Sequence, residues 1–495
     1  MSRRIRAFKR WMTSQGFDFS DALEFADSDA DGICVRALCG LREGDLVATI
    51  PKRACLTIRT SGAREVMDGA GLAGPLGLSF AIMYERALGA ASLWYGYLQL
   101  LPEEESVPLV WSSGEVDALL RGTELHKIVK EDKKLLREDW KECIKPLIEA
   151  ADFELDPSDF GIDRYFAAKS LVSSRSFQID EYHGSGMVPL ADLFNHKTGL
   201  ENVHFTSVSS SSSDDESDVD DAFIEEKQSK PEEQSTSDAG DSFSEDNAAN
   251  LEMIVVRDVE AGDEVFNTYG YMGNAALLHR YGFTEPNNPF DIVNIDLNLV
   301  LQWCTSSFSS RYARARLSLW RRLNYSGCMS QNSEYFEVAS DGEPQFELIA
   351  LLFIIFIPEE AYRKLNYAAD SFKDGGDATK MIVAKMSNGR RIHKTPGNGK
   401  EFFLTRNVCG ALVALADVRE SLYGSDSLED DLGKLKICCP VQERKLYHSL
   451  VLRLCERKIL QNLRAYASRQ SKMNKKETFG VRKCFKRTNF SLFYS

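Results

Sequence analysis

The stretch Met187–His196 reads Met-Val-Pro-Leu-Ala-Asp-Leu-Phe-Asn-His, an apolar segment that becomes polar at its end. Its aspartate, asparagine and histidine are costly to bury without hydrogen-bond partners, so we expect specific groups to meet them. Two tyrosines that stand beside glycines follow in the segments Asn267–Gly270 and Arg280–Phe283. Glycine allows a backbone to come close to a ligand. These three segments are therefore the candidate functional site.

Asn195 and His196, with the apolar residues before them, resemble the asparagine-histidine motif of SET-domain methyltransferases. Tyr269 and Tyr281, in their Thr-Tyr-Gly and Tyr-Gly-Phe contexts, resemble the tyrosine pair that closes the active site of these enzymes. Within this group the sequence is similar to the branch that methylates lysines of Rubisco and of ribosomal proteins. The resemblance implies an α+β fold, in which a β-rich pseudoknotted SET domain with a helical insertion is followed by an all-α C-terminal domain.

The resemblance also implies a reaction and assigns roles to single residues. The cofactor is expected to be S-adenosylmethionine, with S-adenosylhomocysteine as product, and the substrate a lysine on a non-histone protein. Tyr269 and Tyr281 are expected to be catalytic. The residues expected to bind the cofactor are Gly32, Ile33, Cys34, Arg175, Asn195, His196, Tyr269 and Phe283. The residues expected to bind the substrate are Ser174, Asp192 and Tyr281. No metal is expected, because no metal ligands are suitably spaced around His196.

Two of these assignments have an alternative interpretation. SET enzymes carry Gly-x-Gly in their first hairpin, whereas Gly32-Ile33-Cys34 keeps only the first glycine, which puts cofactor affinity in question. Arg175 lies near the end of a predicted helix, where a cation complements the helix dipole without any ligand. Its Ser-Arg-Ser-Phe context resembles that of the family's cofactor arginine, which favours the functional role.

Periodicity and composition divide the 495 residues into domains. The SET catalytic domain is expected at 5–285, with a helical insertion at about 76–177 and an acidic insertion at about 207–250 that should be disordered. Residues 286–470 have helical patterns and resemble the all-α substrate-binding domain of the branch. A basic tail is expected at 471–495.

The formal net charge of −14 comes mostly from Asp214–Asp246, which holds fourteen acidic residues against two lysines. A solvated run of this kind says little about partners. The acidic insertion could equally be inert or regulatory, since its serines lie in contexts that acidic-directed kinases use.

Alternating apolar and polar residues predict a β-hairpin at 33–50 around the turn Arg42–Asp45. The similar turn Glu260–Asp263 is expected to join Met253–Val256 to Val265–Thr268.

The eleven cysteines are scattered without a CxxC pair, which is typical of a reducing compartment. No cysteine-rich zinc module follows Phe283, which argues against a dedicated histone enzyme. The longest apolar run, Leu348–Ile357, is too short to span a membrane, so we expect no membrane partner. The basic start, Met1–Arg10, could be a transit peptide, but the acidic residues that soon follow favour the first helix of the mature domain. We therefore expect a nuclear or cytoplasmic protein without a signal peptide, and not a plastid protein.

The basic segment Arg457–Arg487 could contact nucleic acid or be a nuclear address. A solvated basic tail is the commoner case, and we expect no nucleic-acid partner. We expect a monomer that acts on a protein presenting a lysine.

Two other functions stay open. One member of the broader group methylates a histidine of actin, but that relative departs from the tyrosine that corresponds to Tyr281, so lysine is favoured. Cys34 leaves a third function, a SET fold with weak or no catalysis that only binds proteins. Cofactor binding distinguishes an enzyme from such a binding protein.

Overall fold

The computed structural model describes residues 2–28, 32–150, 155–207, 249–323, 335–370, 382 and 400–487. Helices and strands are both present, so the predicted α+β class is confirmed. The chain forms two compact units. Unit 1 is Met1–Glu105 with Leu135–Gly270, and unit 2 is Ser106–Lys134 with Tyr271–Ser495. The acidic insertion expected at about 207–250 lies almost wholly outside the described residues.

Within its described residues, unit 1 contains three antiparallel sheets. Its strands are β1 (Asp18–Phe19), β2 (Leu23–Ser28), β3 (Gly32–Ala37), β4 (Leu46–Pro51), β5 (Leu56–Thr57), β6 (Ser176–Asp180), β7 (Gly184–Met187), β8 (Val203–Ser207) and β9 (Asn250–Val255). One sheet has the order β1-β4-β9-β8 and another has β5-β7-β6, while β2 pairs with β3. β8 and β9 pair up to Ser207 and Leu251, so the two ends of the acidic insertion lie side by side.

The predicted hairpin at 33–50 is wrong, although its turn forms. The Asp45 N–H donates to the Arg42 carbonyl (3.0 Å), but β3 pairs with β2, and β4 pairs with β1 and β9. The alternation of apolar residues determines which face of a strand is buried, but it does not determine which other strand pairs with it. The second predicted turn also forms, with the Asp263 N–H donating to the Glu260 carbonyl (3.2 Å). The residues that follow it pair with other segments through isolated bridges.

The helices up to residue 175 are α1 (Arg3–Gln15), α2 (Arg64–Ala70), α3 (Gly74–Ala87), α4 (Tyr95–Leu98), α5 (Ser113–Leu119), α6 (Leu125–Asp139), α7 (Lys145–Ala150) and α8 (Ile162–Arg175). α1 begins where the Ser2 hydroxyl accepts a hydrogen bond from the Ile5 N–H, and it ends at Gly16, whose φ is 84°. Ile5, Phe8 and Met12 fall on one face of α1 and are buried. The segment Arg3–Gln15 is thus a helix with one buried face.

The predicted insertion at 76–177 is largely helical, but it does not pack as one piece. Residues Ser106–Lys134 belong to unit 2. There they supply most of a small core that Leu278 and Leu452 complete. The members from the insertion are Trp111, Val116, Leu120, Leu125 and Val129. Helical periodicity shows that this face is buried but not which distant residues cover it.

The C-terminal residues 286–470, which lie in unit 2, are mainly helical but not all-α as predicted. Strands β10 (Ile292–Asp296) and β11 (Tyr335–Ala339) pair antiparallel. Val293, Ile295, Phe336 and Val338 are buried at alternate positions, a spacing and composition that favour strands. The helices after residue 273 are α9 (Asn274–Tyr281), α10 (Leu297–Ser307), α11 (Ser310–Arg322), α12 (Phe346–Phe356), α13 (Glu359–Asp370), α14 (Lys400–Phe403), α15 (Arg406–Glu420), α16 (Leu428–Ile437) and α17 (Arg444–Arg487).

The helix α17 continues past residue 471, where the basic tail was expected to begin, and runs to Arg487. The remainder of that tail lies outside the described residues. The domain limits 5–285 and 286–470 stay predictions. Among the helices in the described parts of the chain, none is both long and apolar enough to cross a membrane.

Candidate active site

The polar end of the stretch 187–196 is shaped by a tight turn. Leu190 has a φ of 77°, a left-handed conformation that costs energy in a residue other than glycine. A short 3-10 turn, Ala191–Leu193, follows, in which the Leu193 N–H donates to the Leu190 carbonyl (3.1 Å). The turn presents Phe194 and the two residues after it to the segment 267–269.

The residues Asn195 and His196 pair with this second segment. His196 and Asn267 form a parallel bridge, and the Asn267 N–H donates to the Asn195 carbonyl (2.9 Å). The main-chain N–H of Tyr269 donates to Nδ1 of His196 (3.0 Å), and the two rings stack with their centroids 5.1 Å apart. The Tyr269 hydroxyl donates to the carbonyl oxygen of Phe194 (3.3 Å). Tyr269 is therefore held at its main chain, its ring and its hydroxyl.

The hydrogen bonds of His196 determine which tautomer a neutral ring adopts. Because Nδ1 accepts from Tyr269, the proton lies on Nε2, which is 3.2 Å from the Thr198 hydroxyl. In the described ranges, no group of three or more His, Cys, Asp or Glu side chains could hold a metal ion. His196 thus connects the two backbone segments of the site.

The side chain of Asn195 connects the same segment to β3. Its Nδ2 donates to Oε1 of Glu264 (2.8 Å), and Glu264 forms a bridge with Arg36 of β3. This strand begins with the predicted cofactor residues Gly32–Cys34. Asn195 and these residues therefore belong to one hydrogen-bonded assembly in unit 1.

The three residues at the start of β3 differ in environment. Gly32 is exposed with a φ of 77°, and apart from its own atoms and its chain neighbours no heavy atom of the described residues lies within 4 Å of where a Cβ would stand. Ile33 is partly buried, and Cys34 is only 2% exposed and stands opposite Ala26 of β2. The Cys34 side chain therefore packs in the core, and the open part of the strand is at Gly32.

Arg175, the last residue of α8, lies in a network of carboxylates. Its Nε donates to Oε1 of Glu105 (2.6 Å), and its Nη1 donates to the carbonyl (3.1 Å) and to Oδ2 (3.2 Å) of Asp192. The Tyr97 hydroxyl donates to the same Oδ2 (2.8 Å). The Asp192 side chain is 0% exposed, and its Oδ1 has no hydrogen-bond partner among the described residues.

Burial and charge act against each other in this network. Burial raises the pKa of the Asp192 carboxyl, and Arg175 and Tyr97 counteract that shift. Burial also raises the pKa of Tyr97, and the charge of Asp192 raises it further. Burial lowers the pKa of Arg175, but the carboxylates of Glu105 and Asp192 outweigh burial, so that the pKa lies above its usual value. Arg175 therefore stays charged, and the ionised form of Asp192 depends on its two donors.

The structure thus brings Asn195, His196 and Tyr269 into contact, and it places Arg175 and Asp192 in the adjoining network. Ser174 precedes Arg175 and is partly buried. The sequence did not predict three partners in this region, which are Tyr97, Glu105 and Glu264. Tyr97 meets Asp192 from 95 residues away, and Glu105 meets Arg175 from 70 residues away, so no local pattern could have indicated either contact.

Tyr281 and Phe283 belong to unit 2, where their ring centroids are 6.3 Å apart. Tyr281 ends α9, and Gly282 caps that helix with a φ of 77°. A Cβ at Gly282 would lie 2.7 Å from the carbonyl oxygen of Ser106, so this position requires glycine. Both aromatic residues are partly exposed.

Solved structures share the fold of this chain. A crystal structure of the SET domain of LSMT, bound to lysine and AdoHcy, has a TM-score of 0.65 with 18% sequence identity. The similarity covers 95% of this chain and 92% of that chain. The predicted SET fold is thereby confirmed.

No family model matches the sequence, but curated relatives do. A Xenopus laevis protein named N-lysine methyltransferase setd6 is 26% identical over an alignment of 304 positions, and the match covers 58% of each chain. This chain therefore spans little more than half the length of that relative. A Salmo salar protein of the same name is 30% identical over 367 residues, which cover 70% of this chain and 72% of that protein. The extent of this match shows that the chain belongs to the setd6 family of N-lysine methyltransferases.

Proposed function

We propose that this protein transfers a methyl group from S-adenosylmethionine to the side-chain nitrogen of a lysine on a non-histone protein. The observation that carries the proposal is the clamp between His196 and Tyr269, which holds a tyrosine hydroxyl against the carbonyl of Phe194. Such oxygens can orient an amine. Membership of the setd6 family supports lysine as the methylated residue.

The residues of unit 1 fit this cofactor. No atom of the described residues outside the local backbone fills the space beside Gly32, and the partly buried Asn195 adds a polar group that is hydrogen-bonded to the same strand assembly. We propose that the cofactor is held by Gly32, Ile33, Cys34, Arg175, Asn195, His196, Tyr269 and Phe283. When bound, S-adenosylmethionine supplies a methyl group on a positively charged sulfur.

The protein has to present a neutral lysine amine to that methyl. A lysine with its ordinary pKa of about 10.4 arrives protonated. An apolar channel and a nearby positive charge both lower its pKa, so the neutral form becomes accessible without a strong general base. Tyr269 is the proposed group at the transferring methyl. Tyr281 orients the amine, and Phe283 forms a wall of the channel.

We propose that Ser174 and Asp192 lie near the substrate. The Asp192 carboxyl is enclosed by Tyr97 and Arg175, so we propose that it acts through its charge and through the turn that it holds. Arg175 acts on the cofactor in the same indirect way, because its guanidinium donates hydrogen bonds to Glu105 and Asp192.

We also propose the finer features of the family fold. The segment 194–196 would form the SET pseudoknot with the segment 267–269, which the parallel bridge between His196 and Asn267 supports. The catalytic domain would extend over 5–285, and the mainly helical residues 286–470 would bind the protein substrate. We expect a monomer in the nucleus or cytoplasm, without a nucleic-acid partner.

The two alternative functions are less well supported. The relatives that match are lysine methyltransferases, so nothing favours histidine as the target. A SET fold without catalysis was suggested by Cys34, but that side chain lies in the core while the strand is open at Gly32.

Calorimetric titration of S-adenosylmethionine tests the proposal. The wild-type protein should bind it, and Asn195→Ala should weaken binding by about 1 to 3 kcal/mol because a buried polar group of the ligand loses its partner. Glu264→Gln is the matched control, since a glutamine oxygen can still accept from the Asn195 amide. Intact-mass analysis of candidate proteins should then show methyl additions. Wild-type affinity in a folded Asn195→Ala protein would mean that the cofactor site is misplaced.

A further inference from the structure

We propose that Tyr97 is a positioning residue of the active site, which acts through Asp192 on the turn that carries Phe194 and Asn195. The inference rests on the proposed methyl transfer and assigns a role to a helix, α4, that lies about ninety residues before the motif in the sequence. Tyr97 would hold the Asp192 carboxylate in place. The turn that contains Asp192 would then fix the position of the Phe194 carbonyl, which accepts a hydrogen bond from the Tyr269 hydroxyl.

The ring of Tyr97 is fixed by the helix α1. Tyr97 is 0% exposed, and its ring centroid lies 6.2 Å from those of both Phe8 and Trp11. The Trp11 indole N–H donates to the Leu93 carbonyl (2.9 Å), which anchors it beside α4. A Cβ at Gly96 would lie 2.3 Å from the Trp11 side chain, so this close packing requires glycine. The hydroxyl of Tyr97 therefore points at Asp192 from a rigid support.

Asp192 depends strongly on this hydroxyl. Both Tyr97 and Arg175 contact Oδ2, at 2.8 Å and 3.2 Å, whereas Oδ1 has no hydrogen-bond partner in the described part of the chain. A buried carboxylate needs hydrogen bonds to stay ionised. Removal of the Tyr97 hydroxyl would leave the side chain of Arg175 as the remaining donor shown at this carboxylate.

The turn carries the effect to the reacting groups. Asp192 is the middle residue of the turn Ala191–Leu193, and its own carbonyl accepts from Arg175 (3.1 Å). Two residues further on, the carbonyl of Phe194 accepts from the Tyr269 hydroxyl (3.3 Å). The hydroxyls of Tyr97 and Tyr269 are thus joined through three consecutive residues of main chain. A shift of Asp192 would move the acceptor of Tyr269.

The charged and titratable groups that face this network come from several elements. Arg175 comes from α8 and Glu105 from the loop before unit 2 begins, and both act on Asp192. Cys55 and Arg86 interact with Tyr97 at longer range. Of these groups, Tyr97 and Arg175 form hydrogen bonds with the Asp192 carboxylate.

Tyr97→Phe removes the hydroxyl and keeps the ring. We expect kcat to fall about ten- to a hundred-fold, as for the loss of one hydrogen bond to a charged group, while the KM for S-adenosylmethionine changes by less than about two-fold. Tyr165→Phe is the matched control, because Tyr165 is another fully buried tyrosine of unit 1 and contacts neither Asp192 nor Arg175 in the described hydrogen bonds. It should leave kcat unchanged.

A second measurement does not depend on activity. At low pH the buried Asp192 carboxyl of the folded protein is neutral, because burial raises its pKa above the ordinary value of an aspartate. As the pH rises, the folded protein must hold a buried carboxylate, and Tyr97→Phe makes this harder by removing a donor. The loss in Tm caused by Tyr97→Phe should therefore grow between about pH 4 and pH 8. A role confined to packing would give a loss that does not change with pH.

A double-mutant cycle with Asp192→Asn tests whether Tyr97 affects kcat through the Asp192 carboxylate. If Tyr97 acts through the carboxylate, Tyr97→Phe should lower kcat by less than about two-fold in the Asp192→Asn protein. The full effect in that background, or wild-type kcat in folded Tyr97→Phe, would overturn the inference. An inactive wild-type protein would contradict the proposed function instead, and the pH dependence of the Tm difference would still decide whether Tyr97 and Asp192 are coupled.

Discussion

The main-chain N–H of Tyr269 donates a hydrogen bond to Nδ1 of His196, and the two rings stack at 5.1 Å. The histidine of the asparagine-histidine motif thereby orients the tyrosine that we propose to act on the methyl group. The two residues lie 73 positions apart in the sequence, and the contact joins the two segments of the proposed pseudoknot.

His196→Ala should destabilise the protein because it leaves the Tyr269 N–H without its acceptor. We expect a loss of about 1 to 3 kcal/mol in the free energy of unfolding, measured by urea denaturation. His196→Asn is the matched control, since its side-chain oxygen can take the place of Nδ1 although the ring stack is lost. Equal losses for the two variants would show that the hydrogen bond to Tyr269 is not what His196 contributes.

The acidic insertion should be dispensable for folding. Ser207 and Leu251 are paired in the β8–β9 ladder, so the ends that a linker must join are already adjacent. Replacing residues 209–249 with a short Gly-Ser linker should leave the Tm and the basal turnover nearly unchanged, because closing a shorter loop costs little entropy. Differential scanning calorimetry measures the first quantity and methyl transfer the second. A large fall in Tm would contradict the view that the insertion contributes nothing to the core.

Glu456 should make the stability of unit 2 depend on pH. It is 1% exposed, accepts from Tyr423, Arg419 and the Glu124 N–H, and burial raises its pKa from 4.5 to about 7. Because the folded pKa is raised, the stabilisation is complete below about pH 4.5 and is lost as the pH rises through about 7. Relative to Glu456→Gln, which does not titrate, the wild type should lose on the order of 2 to 3 kcal/mol between about pH 5 and pH 8.

Urea denaturation of both proteins across this range measures the difference. The two proteins have the same other titratable groups, so a pH-dependent difference in their free energies of unfolding reports the titration of Glu456. A difference that stays constant with pH would show that Glu456 keeps an ordinary carboxyl pKa in its buried cluster.

Local patterns predicted the short-range features of this fold. Gly44 and Gly262 mark the two turns that form, and the buried face of α1 follows from the spacing of its apolar residues. Partners distant in sequence could not be predicted in this way. β3 and β4 are neighbours in the chain, yet they lie in different sheets, because β3 pairs with β2 and β4 pairs with β1 and β9.

The same distinction holds in the site. Asn195, His196 and Tyr269 stand in motifs long enough to be recognised, and the structure brings them into contact. Tyr97 stands in no such motif, and its place beneath the turn depends on how α4 packs against α1. The two strands of unit 2 were missed for a related reason, since each is only five residues long and lies among helices.

The central claim is that Tyr269 acts in methyl transfer to lysine. Tyr269→Phe removes one hydroxyl and keeps the ring that stacks on His196, so folding and cofactor affinity should be nearly preserved. Tyr182→Phe, at an exposed tyrosine of the same unit, is the control for loss of a hydroxyl.

The decisive measurement is the transfer of labelled methyl from S-adenosylmethionine to lysines in a lysate depleted of its own methyltransferases, with cofactor binding measured separately by calorimetry. The wild type and Tyr182→Phe should transfer methyl at equal rates, and kcat of Tyr269→Phe should be lower by about ten- to a thousand-fold with a small change in KM. Equal rates of transfer to lysine by the wild type and Tyr269→Phe would contradict the proposed role of Tyr269.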